Sequence, residues 1–229
     1  MELSLVGLSL QVAVVATAMN LIPALAVSWL LVKRRVPGGF VLDLLVSLPL
    51  ALPPVAIGFF LLLLLGREGP FGTAARTLFG SDIIFTWFAA AIAGAVVSFP
   101  LVTRSIMVAM GGVDRRLELS ARTLGAGPWR VFFTITVPLA YRGILAGLLL
   151  GFVRALSEFG ATIVVAGNIA GRTETLPLAV YSNILLGRDG EALKLIGITI
   201  GLAVLTLALH NWLLAKMGRA REGPRGAGS

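Results

Sequence analysis

The sequence predicts an all-α integral membrane protein with about five spanning helices, and three observations carry that prediction. Of its 229 residues, 57% are hydrophobic and only 13% are charged, against roughly a quarter charged in a water-soluble domain. The mean hydropathy of +0.95 implies more apolar surface than a soluble fold of this length can hide. The apolar residues form runs of about 20, the length that crosses the hydrocarbon core as a helix, and the basic residues gather at the edges of those runs.

The first run extends from about Leu5 to Val32 and is interrupted only by Gln11, Asn20 and Pro23. Positive charge follows this run rather than preceding it, and the run is too long for the core of a secretory signal, so it is read as a span and not a cleaved leader. The second runs from about Val41 to Leu65, the third from about Ile83 to Val102, the fourth from about Gly143 to Ala166, and the fifth from about Leu195 to Leu214. A shorter apolar stretch between Leu176 and Gly187 reads as a re-entrant or surface helix; as a sixth span it would move one terminus across the membrane, against the charge bias. Trp29, Trp87 and Trp212 fall near span ends, as interfacial anchors do, whereas Trp129 lies inside a long polar segment.

Direction follows from Lys and Arg in short loops. Lys33, Arg34, Arg35, Arg104, Arg115, Arg116, Arg122, Arg130, Arg142, Lys216, Arg219, Arg221 and Arg225 all fall on one side under this topology, and only Arg67, Arg76, Arg172, Arg188 and Lys194 on the other. The richer side is the cytoplasm, which places the N-terminus outside and the C-terminus inside. The net charge of +8 is therefore a topology signal and not a nucleic-acid footprint. The absence of cysteine excludes disulfides and thiolate chemistry. No metal-ligand pattern, paired catalytic carboxylates or nucleophile with its base stands out, and no cofactor is expected.

Residues 111–142 form the long hydrophilic segment on the cytoplasmic side. Asp114 suits a helix N-cap, and Leu117, Ala121 and Leu124 recur at i, i+4 and i+7 on a helix whose other faces carry Arg115, Arg116, Glu118 and Arg122. Gly125 and Gly127 break this helix, and Pro128 suits the first position of the next, which runs from Trp129 to Val137 and leads to Pro138. Such an elbow can insert one face into a groove on a partner and transmit a rigid push. On spacing alone, a plain interfacial helix lying on headgroups is an equal reading.

The stretch Glu118-Leu119-Ser120-Ala121-Arg122-Thr123-Leu124-Gly125, continuing to Ile135-Thr136-Val137-Pro138, resembles the signature loop of bacterial and archaeal ABC importer permeases, which pairs a Glu-Ala-Ala start with a glycine and closes on an Ile-x-Leu-Pro-like element. Glu118 stands one residue earlier than the general pattern, and Val137 replaces the usual Leu. Leu48 to Pro54, and Ser157 to Thr162 with Ala166-Gly167-Asn168, resemble the molybdate, tungstate and sulfate branch, and within it Thr173 to Pro177 and the early Glu118 resemble the molybdate permeases. The resemblance covers essentially the whole chain. It implies a type I importer transmembrane fold, a single permease domain over residues 1–229, and a coupling helix contacting a separate ATPase through Glu118, Ala121, Arg122, Thr123, Leu124, Gly125 and Ala126. It further implies a homodimer with a second copy of the chain, a cytoplasmic ATPase dimer, an extracytoplasmic oxyanion-binding protein and alternating access in a bacterial or archaeal plasma membrane. Molybdate is the expected ion, with tungstate or sulfate/thiosulfate as the alternative. The chain carries no G-x-x-x-x-G-K-[ST] loop, so ATP hydrolysis is expected on the partner and not here.

Pro49, Pro53 and Pro54 remove backbone donors from the second span and should bend or break it; a broken helix in a membrane lines a cavity or is buried in protein. Arg154 and Glu158 lie four residues apart in the fourth span. Together they read either as a pathway site attracting an oxyanion or as a structural ion pair. Gly143, Gly147 and Gly151 recur every four residues, a close-packing device within the subunit or across a dimer. His210 reads as packed or hydrogen-bonded rather than chemical. A channel or secondary transporter would call for internal repeats or coupling-ion sites, and neither is evident beyond the Arg154–Glu158 pair.

Overall fold

The structure, a computed structural model, describes residues 2–34 and 37–221, with side chains through 215. Arg35 and the tail charges Lys216, Arg219, Arg221 and Arg225 lie outside the described side chains. Every regular element among the described residues is helical. Helix α1 (Glu2–Trp29) continues into a π-wound turn, Leu30–Arg34. A helical pair follows, α2 (Gly39–Ala51) and α3 (Pro54–Leu65), then a short α4 (Pro70–Phe79) and a long α5 (Trp87–Gly111). Next come α6 (Arg115–Thr123), α7 (Pro128–Val131), a second π-wound turn (Phe132–Thr136) and α8 (Val137–Leu156). The chain ends with α9 (Gly160–Val165), α10 (Leu176–Leu185) and α11 (Asp189–Arg221).

Among the described residues, four continuous helices are long and apolar enough to cross a membrane: Glu2–Arg34, Trp87–Gly111, Pro128–Leu156 and Asp189–Ala215. The pair α2–α3, bent by 113°, makes a fifth if it counts as one span. At about 1.5 Å rise per residue, the ten residues of α10 cover only about half of a ~30 Å hydrocarbon core. The amide of Leu176 donates to Ser9 Oγ at 2.7 Å, which ties α10 to α1.

Three expected spans differ in their limits. The second is not one straight helix: with no N–H on Pro53 or Pro54 the ladder stops at Ala51 and restarts with Pro54 at the first helical position. The third begins at Trp87 rather than Ile83, because Thr86 caps it by accepting from the Ala89 amide at 3.2 Å. It runs on past Arg104, whose guanidinium meets Asp43 at 2.8 Å and so keeps its charge paired. The fourth begins at Pro128, since α7 and the π-wound turn feed directly into α8, and it breaks after Leu156. Pro138 has no N–H to give; just before it, the Val137 amide bonds the Phe132 carbonyl in π register.

Helix α5 is the most buried of the long helices and forms the centre of the bundle, with α1 and α8 packed on it. Asn20 Nδ2 on α1 donates to the Ala95 carbonyl and to Ser98 Oγ, both at 3.0 Å, and Ser28 Oγ donates to the Thr103 carbonyl at 3.1 Å. These bonds satisfy polar side chains that would otherwise sit costly and unpaired in an apolar interior. The α8 glycines let α5 approach. A β-carbon on Gly147 would stand 2.8 Å from Ser105 Cβ, one on Gly151 would collide with Val102 Cγ2, and Gly143 is buried. The small-residue stripe thus packs within the subunit. His210 Nδ1 meets the Ala146 carbonyl at 2.7 Å and joins α11 to α8.

Candidate coupling elbow and broken-helix site

The elbow is built as its residues dictate. Asp114 Oδ1 accepts from the Arg116 amide at 2.8 Å and opens α6. At the other end the Ala126 amide bonds the Ala121 carbonyl and the Gly125 amide bonds the Arg122 carbonyl, both at 3.0 Å. This is the double bond pattern of a Schellman stop. It demands a left-handed residue, and Gly125 supplies it at φ +83° with open space where a side chain would stand.

Two faces of α6 have opposite fates. Leu117 and Leu124 are exposed, Leu124 at 88%; Ala121 and Ala126 are half-buried, while Arg122, Thr123 and Gly125 are exposed. Glu118 points the other way and is the buried residue of α6. Its Oε1 lies 2.9 Å from Lys33 Nζ and accepts from Thr136 Oγ1 at 2.7 Å. An aromatic clamp reinforces this seat: the Trp29 and Trp129 ring centroids lie 4.6 Å apart, Phe132 sits 5.5 Å from Trp29, and Phe133 stacks on Trp129 at 6.4 Å. Arg34 covers the outer face of Trp29 at 4.7 Å. The elbow therefore stands on the end of α1 with an apolar tip and a basic rim of Arg115, Arg116, Arg122 and Arg130 turned outward.

The start of α3 after the proline break and the start of α9, which follows the charged pair, are far apart in sequence but meet in space. Pro49 lies inside α2, Pro53 forms the break, and Pro54 starts α3. A second break, Ser157–Phe159, separates α8 from α9. A β-carbon on Gly160 would lie 3.0 Å from Pro54 Cβ, and one on Gly58 would lie 2.7 Å from the Ala161 carbonyl oxygen. At Gly58 a side chain would force the two segments apart, and at Gly160 the approach is tight. Arg154 and Glu158 pair at 2.8 Å, with the Glu158 side chain 2% exposed and that of Arg154 29%. Glu158 does not continue the α8 face; it sits in the break, where its Oε1 also accepts from the Ala161 amide at 2.8 Å. The carboxylate thus satisfies an orphan donor at the start of α9 while its other oxygen holds Arg154.

In the sequence Lys33 reads only as a topology charge, and Thr136 and Asp43 carry no visible role. Asp43 and Ser47 on α2 hold Arg104 on α5, with Ser47 Oγ at 2.7 Å from the guanidinium. No signal in the sequence links these partners, which lie in separate elements. Among the described residues no group of His, Cys, Asp and Glu side chains could hold a metal ion.

Residues 21–219 match the family of binding-protein-dependent transport system inner membrane components. The chain belongs to this family. It is 46% identical over 218 residues to the molybdenum transport system permease protein ModB of Haemophilus influenzae, with 95% of each chain covered. It is 35% identical to the sulfate transport system permease protein CysW of Synechococcus elongatus, covering 93% of this chain and 74% of that protein. Among solved structures, the MetNI methionine ABC transporter in its inward-facing conformation aligns with a TM-score of 0.69 at 17% identity, over 92% of this chain and 93% of that one. As an inner membrane component of this family, the chain is an importer's membrane-embedded transport subunit rather than an enzyme, and it shares the transmembrane fold of ABC importers.

Proposed function

We propose that this chain, acting as one permease domain over residues 1–229, carries molybdate inward across the plasma membrane. The observation that carries this reading is the near-full-length similarity to a molybdenum transport permease, supported by an elbow whose apolar tip is turned away from its own bundle. Two copies form the pathway, an extracytoplasmic binding protein delivers the ion, and a cytoplasmic ATPase dimer drives alternating access. The elbow end, with its excess of Lys and Arg, faces the cytoplasm, so the N-terminus lies outside and the C-terminus inside.

In this reading Ala121, Arg122, Thr123, Leu124, Gly125 and Ala126 enter a groove on the ATPase. Leu124 supplies apolar burial, and Gly125 holds the tip in its left-handed shape. Glu118 works from behind, holding the elbow to the bundle. The Pro49, Pro53 and Pro54 segment and the start of α9 just after the Ser157–Phe159 break line the pathway, because irregular backbone at membrane depth is tolerated where it borders a cavity or protein. Arg154, partly exposed beside the break, offers positive charge to a passing dianion. Its pairing with Glu158 keeps that attraction weak enough for release.

Sulfate is the second reading, favoured by the similarity to CysW. The deciding test is uptake of labelled molybdate into proteoliposomes containing permease, ATPase and binding protein, with unlabelled sulfate as competitor. Uptake that persists under a large excess of sulfate supports molybdate. Sulfate transported in preference to molybdate refutes it.

A further inference from the structure

We propose that Lys33, Glu118 and Thr136 form the joint through which movement of the elbow reaches the membrane helices. The proposal rests on the reading of α6 as the ATPase dock and names the route by which force leaves it. Of the nine residues of α6, the buried one is Glu118; the rest face outward or lie half-buried at the rim. Among the α6 side chains, a push on the exposed tip is therefore passed into the bundle at this one buried carboxylate.

That carboxylate has two receivers on different elements. Lys33, 2.9 Å away, sits in the π-wound turn that ends α1, and Thr136, 2.7 Å away, closes the π-wound turn that opens α8. Single π turns in otherwise α-helical segments mark places where the backbone ladder is re-registered, and they recur at functional sites. Here both stand at the point of attachment. Downstream, α1 is bonded to α5 through Asn20, and α8 runs straight to Arg154 and the break at Ser157–Phe159. One carboxylate thus addresses both the helix that grips the centre of the bundle and the helix that ends at the candidate pathway.

The burial of the pair separates this role from simple stabilisation. The Lys33 and Glu118 side chains are 12% and 9% exposed. A buried ion pair gains little net stability over apolar packing, because desolvation offsets most of the attraction; its best-attested use is fixing register. A pair kept solely to hold the elbow would be redundant beside the Trp29–Trp129–Phe132 clamp. A pair that sets the angle between α6 and two helix ends has no such substitute.

The test uses the whole transporter in proteoliposomes and reads three quantities: ATPase retained on purification, ATP hydrolysed, and anions moved per ATP. Lys33→Met and Thr136→Val are expected to retain the ATPase and continue hydrolysis, while anions moved per ATP fall by about tenfold, the scale of one charge-assisted hydrogen bond. Thr136→Ser, which keeps the hydroxyl, and the exchanged pair Lys33→Glu with Glu118→Lys are expected to recover most of the loss. Unchanged anions per ATP in Lys33→Met or Thr136→Val overturns the joint. If Lys33→Met does not fold, the Thr136→Val and Thr136→Ser comparison decides alone, since it changes one buried hydroxyl at constant shape. Failure of the wild type to retain any ATPase overturns the docking reading instead, and so is distinguishable.

Discussion

Leu124→Ala isolates the docking face from the fold. The side chain is 88% exposed, so its loss leaves no internal cavity and should not change the stability of the permease. If an ATPase groove buries it, truncation to Ala removes three carbons' worth of apolar contact. At about 0.8 kcal/mol per buried CH₂ this is about 2 kcal/mol, or about 30-fold in affinity at 1.4 kcal/mol per tenfold. The assay is equilibrium binding of the purified ATPase to permease in nanodiscs, with thermal unfolding of the variant as control. An unchanged Kd with the fold intact would show that the tip is not buried by the partner and would refute the docking argument.

Gly151→Ala should destabilise the protein by about 1–3 kcal/mol, the usual scale of overpacking, because its β-carbon would collide with Val102 Cγ2; thermal unfolding in detergent checks this. Arg154→Met leaves the buried Glu158 carboxylate without its ionic partner, so a loss of about 3–5 kcal/mol is expected by thermal unfolding; Glu158→Gln removes the charge but keeps an acceptor for the Ala161 amide, so a smaller loss is expected. Equal losses in the two variants would contradict the role given to Glu158 at the break. Asp43→Asn should loosen α2 from α5, since Arg104 loses its ionic partner; the check is the distance between spin labels on these helices, expected to broaden while α1–α5 distances stay fixed.

Much of this architecture was legible because a membrane restricts the options. Apolar runs had to be spans, and the Pro53–Pro54 pair had to stop a backbone ladder. The 113° bend at that stop was not legible, since missing donors dictate where a helix ends but not the direction in which the next one leaves. The break after Leu156 was hidden because Ser157 and Phe159 look unremarkable in an apolar run, and a carboxylate four residues after an arginine mimics one helical face. Helix α4 escaped notice because Gly, Thr and Arg dilute its apolar residues. In the elbow, the Asp114 cap and the Gly125 stop were visible in the local spacing. The inward turn of Glu118 was not, because its partners Lys33 and Thr136 belong to other elements and only the folded bundle brings them together.

The most direct test of the central claim is accumulation of labelled molybdate in proteoliposomes holding the permease, its ATPase and its binding protein, with ATP supplied on the ATPase side. Accumulation above the external concentration is expected to require ATP and to be lost in Gly125→Arg, which strains the left-handed elbow tip and loads its exposed face with a bulky charge, while the membrane bundle stays folded. Equilibration of the ion without ATP, unaffected by Gly125→Arg, would contradict the claim and identify a channel.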